Sequence, residues 1–309
     1  MLQAFGTLRL EAVRESMRLE FNCSHGRHFG PWRYVVINCL ATLDQYKMNA
    51  RMTGTGLIKV GDVKLEVFHE GAGRPLLLLH GGEGLDHSAS FLRMLTREFE
   101  VIAPSHPGFG HSELPDRFDS VDDLAYLYLD LIEQLELRDI VLAGFSLGGW
   151  IVAEAAVRCS HRLDRLILIA PVGIKISDRE TRDIPDIFAL SPAQVSRLTF
   201  HDQPKRAADY NSLTDDELRI MVRNRESLAL YTWEPYMHNP KLRYRLGRIR
   251  IPTLVIRGES DGIVSQAYAE SYAALIPGAR LDVIKTAGHL PQVERPEELV
   301  KRLVEFARE

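Results

Sequence analysis

A serine hydroxyl attacks a carbonyl only when a base takes its proton and hydrogen-bond donors hold the oxygen that becomes charged. The segment Gly144-Phe145-Ser146-Leu147-Gly148-Gly149 offers such a serine. It follows the apolar run Ile140-Val141-Leu142-Ala143 and leads into a helix-forming stretch that reaches about Val157. A G-x-S-x-G sequence between a strand and a helix folds as a sharp turn with the serine exposed at its apex. Neighbouring chain crowds that turn, so the residues two before and two after Ser146 must be small, and both are glycine. The N–H of Leu147 then opens the helix, where a developing oxyanion is stabilised. A second donor is expected from His80-Gly81-Gly82-Glu83-Gly84, with the Gly82 N–H as the candidate. His80 itself reads as a residue that shapes this loop.

A base and a carboxylate to orient it complete the chemistry. His289 lies in Ala287-Gly288-His289-Leu290-Pro291, and Asp261 lies in Gly258-Glu259-Ser260-Asp261-Gly262. Each follows an apolar strand-like run, Arg280 to Ile284 and Pro252 to Ile256 respectively. The carboxyl ends of strands are where open α/β sheets place their sites. The order Ser146, Asp261, His289 is the order this geometry requires. Glu259 is the rival acid; Asp261 is preferred for its place at the loop turn. Further residues expected to line a substrate pocket are Glu83, His106, Phe145, Trp233 and Leu290.

The elements that must position these residues are readable. Leu57 to Val60 and Val63 to Phe68 alternate around Gly61-Asp62 and predict a hairpin. Pro75 to Leu79 is continuously apolar, as in a strand covered on both faces. Helices are predicted over 87–97, 122–135, 146–157, 266–275 and 296–307, with strands at 101–103, 140–143 and 166–170. The alternation makes the fold class α/β, with a mostly parallel central sheet flanked by helices. Between 172 and 248 the alternation stops. That stretch carries helix-like segments, one of them starting at Ser212 or Thr214, and aromatics that include Phe188, Tyr210, Trp233 and Tyr236.

Taken together, residues 55–309 resemble the α/β-hydrolase superfamily. The resemblance rests on His80-Gly81-Gly82, Pro107-Gly108-Phe109-Gly110-His111-Ser112, the Ser146 turn, Gly258-Glu259-Ser260-Asp261 and Gly288-His289. It implies Ser146 as nucleophile, His289 as base and Asp261 as the acid behind it. It also implies a core of 55–171 and 249–309, with 172–248 inserted as a helical cap. The family's frequent Asp-x-Pro-Gly is here Ser105-His106-Pro107-Gly108. A serine at 146 disfavours the branches that use an aspartate nucleophile. The resulting expectation is a serine hydrolase of small carboxylic esters that needs no metal or organic cofactor. The rival reactions are carbon–carbon bond hydrolysis, with Arg179, Arg182 and Arg197 as carboxylate clamps, and a peroxidase-like side activity. A ligand receptor is the rival of another class.

The composition sets the remaining bounds. Among 309 residues, 38 Lys and Arg face 42 Asp and Glu, a net charge of −4, so no basic surplus draws nucleic acid or an acidic membrane. Residues 172–248 hold 13 basic and 11 acidic residues, unlike the apolar lid of an enzyme working at an oil surface. The partner expected is a small soluble molecule, acting on a cytoplasmic monomer or homodimer. Cys23, Cys39 and Cys159 show no metal-ligand spacing. Residues 1–54 stay outside the hydrolase pattern and are expected to be an extension. Their longest apolar run, Val35 to Leu43, is too short to span a membrane.

Overall fold

The structure, a computed structural model, describes residues 53–202 and 212–309. The expected extension 1–54, apart from its last two residues, therefore lies outside the described residues, as do Cys23, Cys39 and Tyr210. The described chain opens with the hairpin β1 (Gly54–Val60) and β2 (Val63–Gly71), turned at Gly61-Asp62 as the alternation predicts. It continues through β3 (Arg74–Leu79), α1 (Ser90–Leu95), β4 (Phe99–Pro104), α2 (Val121–Gln134), β5 (Ile140–Phe145), α3 (Leu147–Arg158) and β6 (Leu163–Ile169). After α4 (Pro192–Thr199) and α5 (Asp215–Thr232) come β7 (Thr253–Gly258), α6 (Gln266–Leu275), β8 (Arg280–Ile284), α7 (Pro291–Glu294) and α8 (Pro296–Arg308).

The eight strands form one sheet in the order β1-β2-β4-β3-β5-β6-β7-β8. The pairs β1–β2 and β2–β4 are antiparallel and the remaining pairs are parallel. Strand β5 is apolar throughout, and β3 and β6 are apolar over Leu76–Leu79 and Leu166–Ile169, because helices cover both faces. Alternate residues serve the two sides. Leu77, Leu79, Leu142, Leu166 and Leu168 pack with α2, α3 and α6. Leu76, Leu78, Val141, Ala143, Ile167 and Ile169 pack with α1 and α8. Each such buried Leu, Ile or Val side chain contributes about 1.5–3 kcal/mol.

Helix starts follow local chemistry. Ser120 and Asp123 form a capping box on α2, and Thr214 and Glu217 form one on α5, which fixes the expected start at Thr214. The helix predicted over 87–97 is shorter than expected. Asp86 Oδ1 accepts from the Ser88 N–H and hydroxyl and folds 86–88 into a turn, so α1 starts at Ser90. No helix among the described residues is long and apolar enough to cross a membrane.

The topology creates the site. Strand β3 lies between β4 and β5, so the chain leaves it in one direction and later returns on its other side. A crevice opens at the carboxyl ends of two adjacent strands where such a reversal occurs. Those ends are Leu79, followed by His80-Gly81-Gly82, and Phe145, followed by Ser146.

Candidate active site

Ser146 occupies the turn between β5 and α3 with φ 49° and ψ −108°, a conformation that L residues rarely adopt. Such a residue costs about 1–3 kcal/mol and persists only where its surroundings hold it. Here the Ser146 N–H donates to the Ile169 carbonyl at 2.9 Å, and the Ser146 carbonyl accepts from Trp150 N–H at 3.1 Å and Val172 N–H at 3.3 Å. The glycines are required by close backbone approach. A Cβ at Gly144 would lie 2.3 Å from the Gly148 carbonyl oxygen, and one at Gly148 would lie 2.3 Å from the Leu79 oxygen.

The structure brings Ser146, His289 and Asp261 together. His289 Nε2 is 3.0 Å from Ser146 Oγ, and its Nδ1 is 3.0 Å from Asp261 Oδ2. Asp261 Oδ1 accepts from the Ile263 and Val264 N–H groups at 2.9 and 2.8 Å, which leaves Oδ2 for the ring. The hydrogen therefore sits on Nδ1, and Nε2 faces the serine hydroxyl as an acceptor. Burial works against the charged ring and is the largest single influence on His289. The Asp261 charge, the hydrogen bond to it and the Glu83 charge together outweigh burial and raise its pKa above the usual imidazole value. Glu259 is exposed and accepts instead from Thr286 N–H at 3.2 Å.

The 80–84 loop is pinned beside Ser146. A Cβ at Gly81 would lie 3.4 Å from the Ser146 Cβ. Two buried histidines fix the loop. The His106 N–H donates to His80 Nε2 at 2.9 Å, so His80 carries its hydrogen on Nδ1 and donates it to the Gly81 carbonyl at 2.6 Å. His106 Nε2 lies 3.0 Å from the His80 carbonyl, and its Nδ1 lies 2.5 Å from the Tyr128 hydroxyl. Burial lowers His80 to about 4 and His106 well below the imidazole range, so both are neutral near pH 7. His80 thus shapes the loop, in line with its sequence reading.

A cavity of about 320 Å³ opens next to this loop, lined by Gly81, Glu83, Phe91, Phe145, Leu290 and Gln292 among others. Glu83, Phe145 and Leu290 were expected there. His106 and Trp233 were also expected to line a pocket, and neither lines this cavity. His106 is fully buried because its ring stacks on His80 at 3.7 Å and bonds Tyr128. Trp233 is 57% exposed, at the end of α5 against Phe188. Arg179, Arg182 and Arg197 are exposed and do not line the cavity either. Among the described residues, no three His, Cys, Asp or Glu side chains are grouped to hold a metal ion.

Sequence reasoning missed the residues that hold the loops. From α5, Asn224 donates to the Glu83 carbonyl at 2.8 Å and accepts from the Gly110 N–H at 3.0 Å. Ser227 and Tyr231, on the same face, donate to the Gly108 and Pro107 carbonyls. The end of α4 grips the other two loops. Gly262 N–H donates to the Leu198 carbonyl at 2.8 Å and His289 N–H to the Thr199 carbonyl at 2.7 Å. Glu294, which is buried, accepts from the N–H groups of Gly288, His201 and Asp202. The spacing Asn224, Ser227, Tyr231 was the available signal, since polar residues at i, i+3 and i+7 put one polar face on α5.

The profile of the alpha/beta hydrolase family matches residues 76–302. The pimeloyl-[acyl-carrier protein] methyl ester esterase of Photobacterium profundum is 28% identical over 251 residues, covering 77% of this chain and 96% of that protein. The 2-hydroxymuconate semialdehyde hydrolase of Pseudomonas sp. (strain CF600) is 28% identical over 278 residues, covering 84% and 96%. A thermophilic esterase from Thermogutta terrifontis superimposes with a TM-score of 0.65 at 26% identity, over 83% of this chain and 98% of that one. With a family profile matched over most of its length and the sheet, turn and loops described above, this chain belongs to the alpha/beta hydrolase family.

Proposed function

We propose that the chain hydrolyses a small carboxylic ester, or a related acyl compound, through an acyl-enzyme on Ser146. The observation that carries this reading is the hydrogen-bonded series from Ser146 Oγ to His289 to Asp261, at 3.0 Å in each link. Ser146 attacks the carbonyl as its proton passes to His289 Nε2, and Asp261 stabilises the ring that becomes charged. The N–H groups of Leu147, in the first turn of α3, and Gly82 hold the oxyanion; such donors are each worth about 3 kcal/mol of barrier. His289 then gives its proton to the leaving alcohol. It next takes one from water, which attacks the acyl carbon and releases the acid. Esterases among the relatives support the same chemistry.

In this reading 172–248 is a helical cap that covers the site, 55–171 and 249–309 are the core, and the protein works on a soluble small molecule in the cytoplasm. Relatives named as hydrolases of 2-hydroxy-6-oxo-2,4-heptadienoate and of 2-hydroxymuconate semialdehyde keep carbon–carbon bond hydrolysis as the second reading. The arginines that would clamp its carboxylate lie outside the cavity, which favours the ester.

The test is labelling by a fluorophosphonate probe together with turnover of a panel of aryl esters. Wild type labels at Ser146, and Ser146→Ala loses both the label and turnover, about 10⁴-fold or more. A Ser146→Ala protein with full esterase activity overturns the reading.

A further inference from the structure

The cavity beside Ser146 carries charge of one sign. Its lining has an apolar part, including Leu78, Leu85, Phe91, Phe145 and Leu290, and two carboxylates, Glu83 and Asp86, with no Lys or Arg among the described residues. His80, the one histidine in the lining, is neutral near pH 7 because burial lowers it to about 4. The two carboxylates are not equivalent. Asp86 Oδ1 is occupied by the N–H and hydroxyl of Ser88. Glu83 makes no side-chain hydrogen bond or ion pair among the described residues, and its Oε2 sits directly over Gly81. A point 2.9 Å from that oxygen, where a Gly81 Cβ would be, is only 3.4 Å from the Ser146 Cβ.

The position of Glu83 is fixed from its backbone. Its carbonyl accepts from Asn224 Nδ2 at 2.8 Å, and the 81–84 turn is closed by Gly84 N–H on the Gly81 carbonyl at 3.2 Å. The nearby cation of α5, Arg223, points elsewhere and donates to the Gly110 and Ser112 carbonyls. The negative charge therefore lies in the cavity lining with no cationic partner among the described residues, on the side of Gly81 that faces the Ser146 Cβ. That charge also reaches His289, which it helps to raise.

We propose that Glu83 is the specificity-determining charge of this site. Through it the enzyme takes esters whose cavity-bound group is apolar and ends in a cation such as an alkylammonium, and rejects those ending in a carboxylate. The proposal rests on the reading of Ser146 as the nucleophile. Glu83 is exposed at the cavity mouth, so a carboxylate bound there meets a repulsion that is strong only at low salt, and a cation gains the same interaction with opposite sign.

The experiment uses the full chain and matched aryl esters ending in a trimethylammonium, a tert-butyl or a carboxylate group. The charged group is placed in the acyl part in one series and in the alcohol part in another. Wild type is expected to prefer the cation over the carboxylate by about tenfold or more in kcat/KM in one series, equivalent to ~1.4 kcal/mol. Glu83→Gln is expected to lower that ratio about tenfold, Glu83→Asp to keep most of it, and Asp86→Asn to move it less than Glu83→Gln does. Raising ionic strength from about 0.01 to 1 M shortens the screening length from ~30 to ~3 Å. In wild type this must shrink the ratio, a readout that does not depend on any variant folding. A ratio unchanged by Glu83→Gln, a preference for the carboxylate, or no charge preference in either series overturns the proposal. Failure of the nucleophile reading looks different, because Ser146→Ala would then turn over all three esters.

Discussion

The two halves of the site are held by different means. Ser146 is positioned by its immediate neighbours in the chain. Strand β5, helix α3 and two glycines leave its turn a single arrangement, and the nearest anchoring groups are those of Ile169 and Val172 at the end of the adjacent strand β6. The loops bearing His289, Asp261 and the 81–84 turn are instead tied from the segment between β6 and β7. Leu198 and Thr199 hold the acid and base loops by their carbonyls, and Asn224 holds the 81–84 and 107–112 loops by its amide. A segment expected to act as a lid therefore also supports the loops beside the serine. The proposed nucleophile belongs to the rigid sheet, and the groups around it depend on how α4 and α5 are docked.

The contrast can be broken first at its rigid end. A Cβ at Gly148 would lie 2.3 Å from the Leu79 carbonyl oxygen and 2.5 Å from that of His80, both backbone atoms that cannot swing aside. Gly148→Ala is expected to cost about 3 kcal/mol of stability and to abolish turnover. Gly247→Ala meets nothing within 4 Å and serves as the control, with unchanged activity and melting temperature. A Gly148→Ala protein that melts and turns over like wild type would show that the turn is not fixed by backbone contact.

The tied end predicts smaller losses with a different signature. Asn224→Ala leaves the Glu83 carbonyl and the Gly110 N–H without their partner, at about 1–3 kcal/mol for each group that stays buried. Because the loop that moves carries the proposed oxyanion donor, kcat is expected to fall about tenfold to a hundredfold with little change in KM. Asn224→Asp keeps an acceptor for Gly110 and loses only the donor to Glu83, so it should fall between alanine and wild type. Glu294→Ala frees the N–H groups of Gly288, His201 and Asp202, at about 2 kcal/mol, and its melting temperature is expected to drop by about 4–8 °C, at roughly 2–4 °C per kcal/mol for a chain of this size. A purely structural Glu294 would change melting alone. A Glu294 that positions the base loop also lowers kcat, and Glu294→Gln, which keeps acceptors, restores part of it.

The same contrast explains what could be read from sequence. The turn at Ser146 was legible because every requirement on it is local: a strand, two small residues and a helix start. The strands and helices of the sheet were legible because alternation by two and apolar faces repeat over short windows. The chain order of Ser146, Asp261 and His289 pointed to their meeting, and the pairing with Asp261 over Glu259 followed from its place at the loop turn. The loop supports were not legible. Asn224 lies 114 residues from Gly110, and the bonds from Leu198 and Thr199 are made by backbone carbonyls, which carry no residue signature. His106 was misplaced for a related reason. Its neighbours in the chain suggest an exposed loop at the strand ends, but its burial comes from Tyr128 on α2 and from the His80 ring. Trp233 was misplaced because an aromatic in an inserted segment looks the same in sequence whether it faces a cavity or solvent.

The smallest expected effect separates two charges that different tied loops place on His289, those of Asp261 and Glu83. With His289 as the proposed base, the free enzyme needs it unprotonated, so kcat/KM rises as pH climbs through its pKa. Burial alone would set that rise below pH 6.5, the ordinary imidazole value; Asp261 and Glu83 push it above. Removing either carboxylate charge must therefore move the rise toward lower pH. Asp261→Asn should move it further, since its charge is the largest opposing influence, and should also lower the plateau about 10³–10⁴-fold. Glu83→Gln should move it by less than about one unit, a modest charge effect at the cavity mouth. It should leave a measurable plateau on the neutral tert-butyl ester. The profile is measured by kcat/KM on that neutral ester, so that charge on the substrate does not enter. A rise that moves upward in Glu83→Gln would mean that the carboxylate does not act on the imidazolium. A shift as large as that of Asp261→Asn would mean that the loop tied by Asn224 brings Glu83 closer to the base than the cavity geometry indicates.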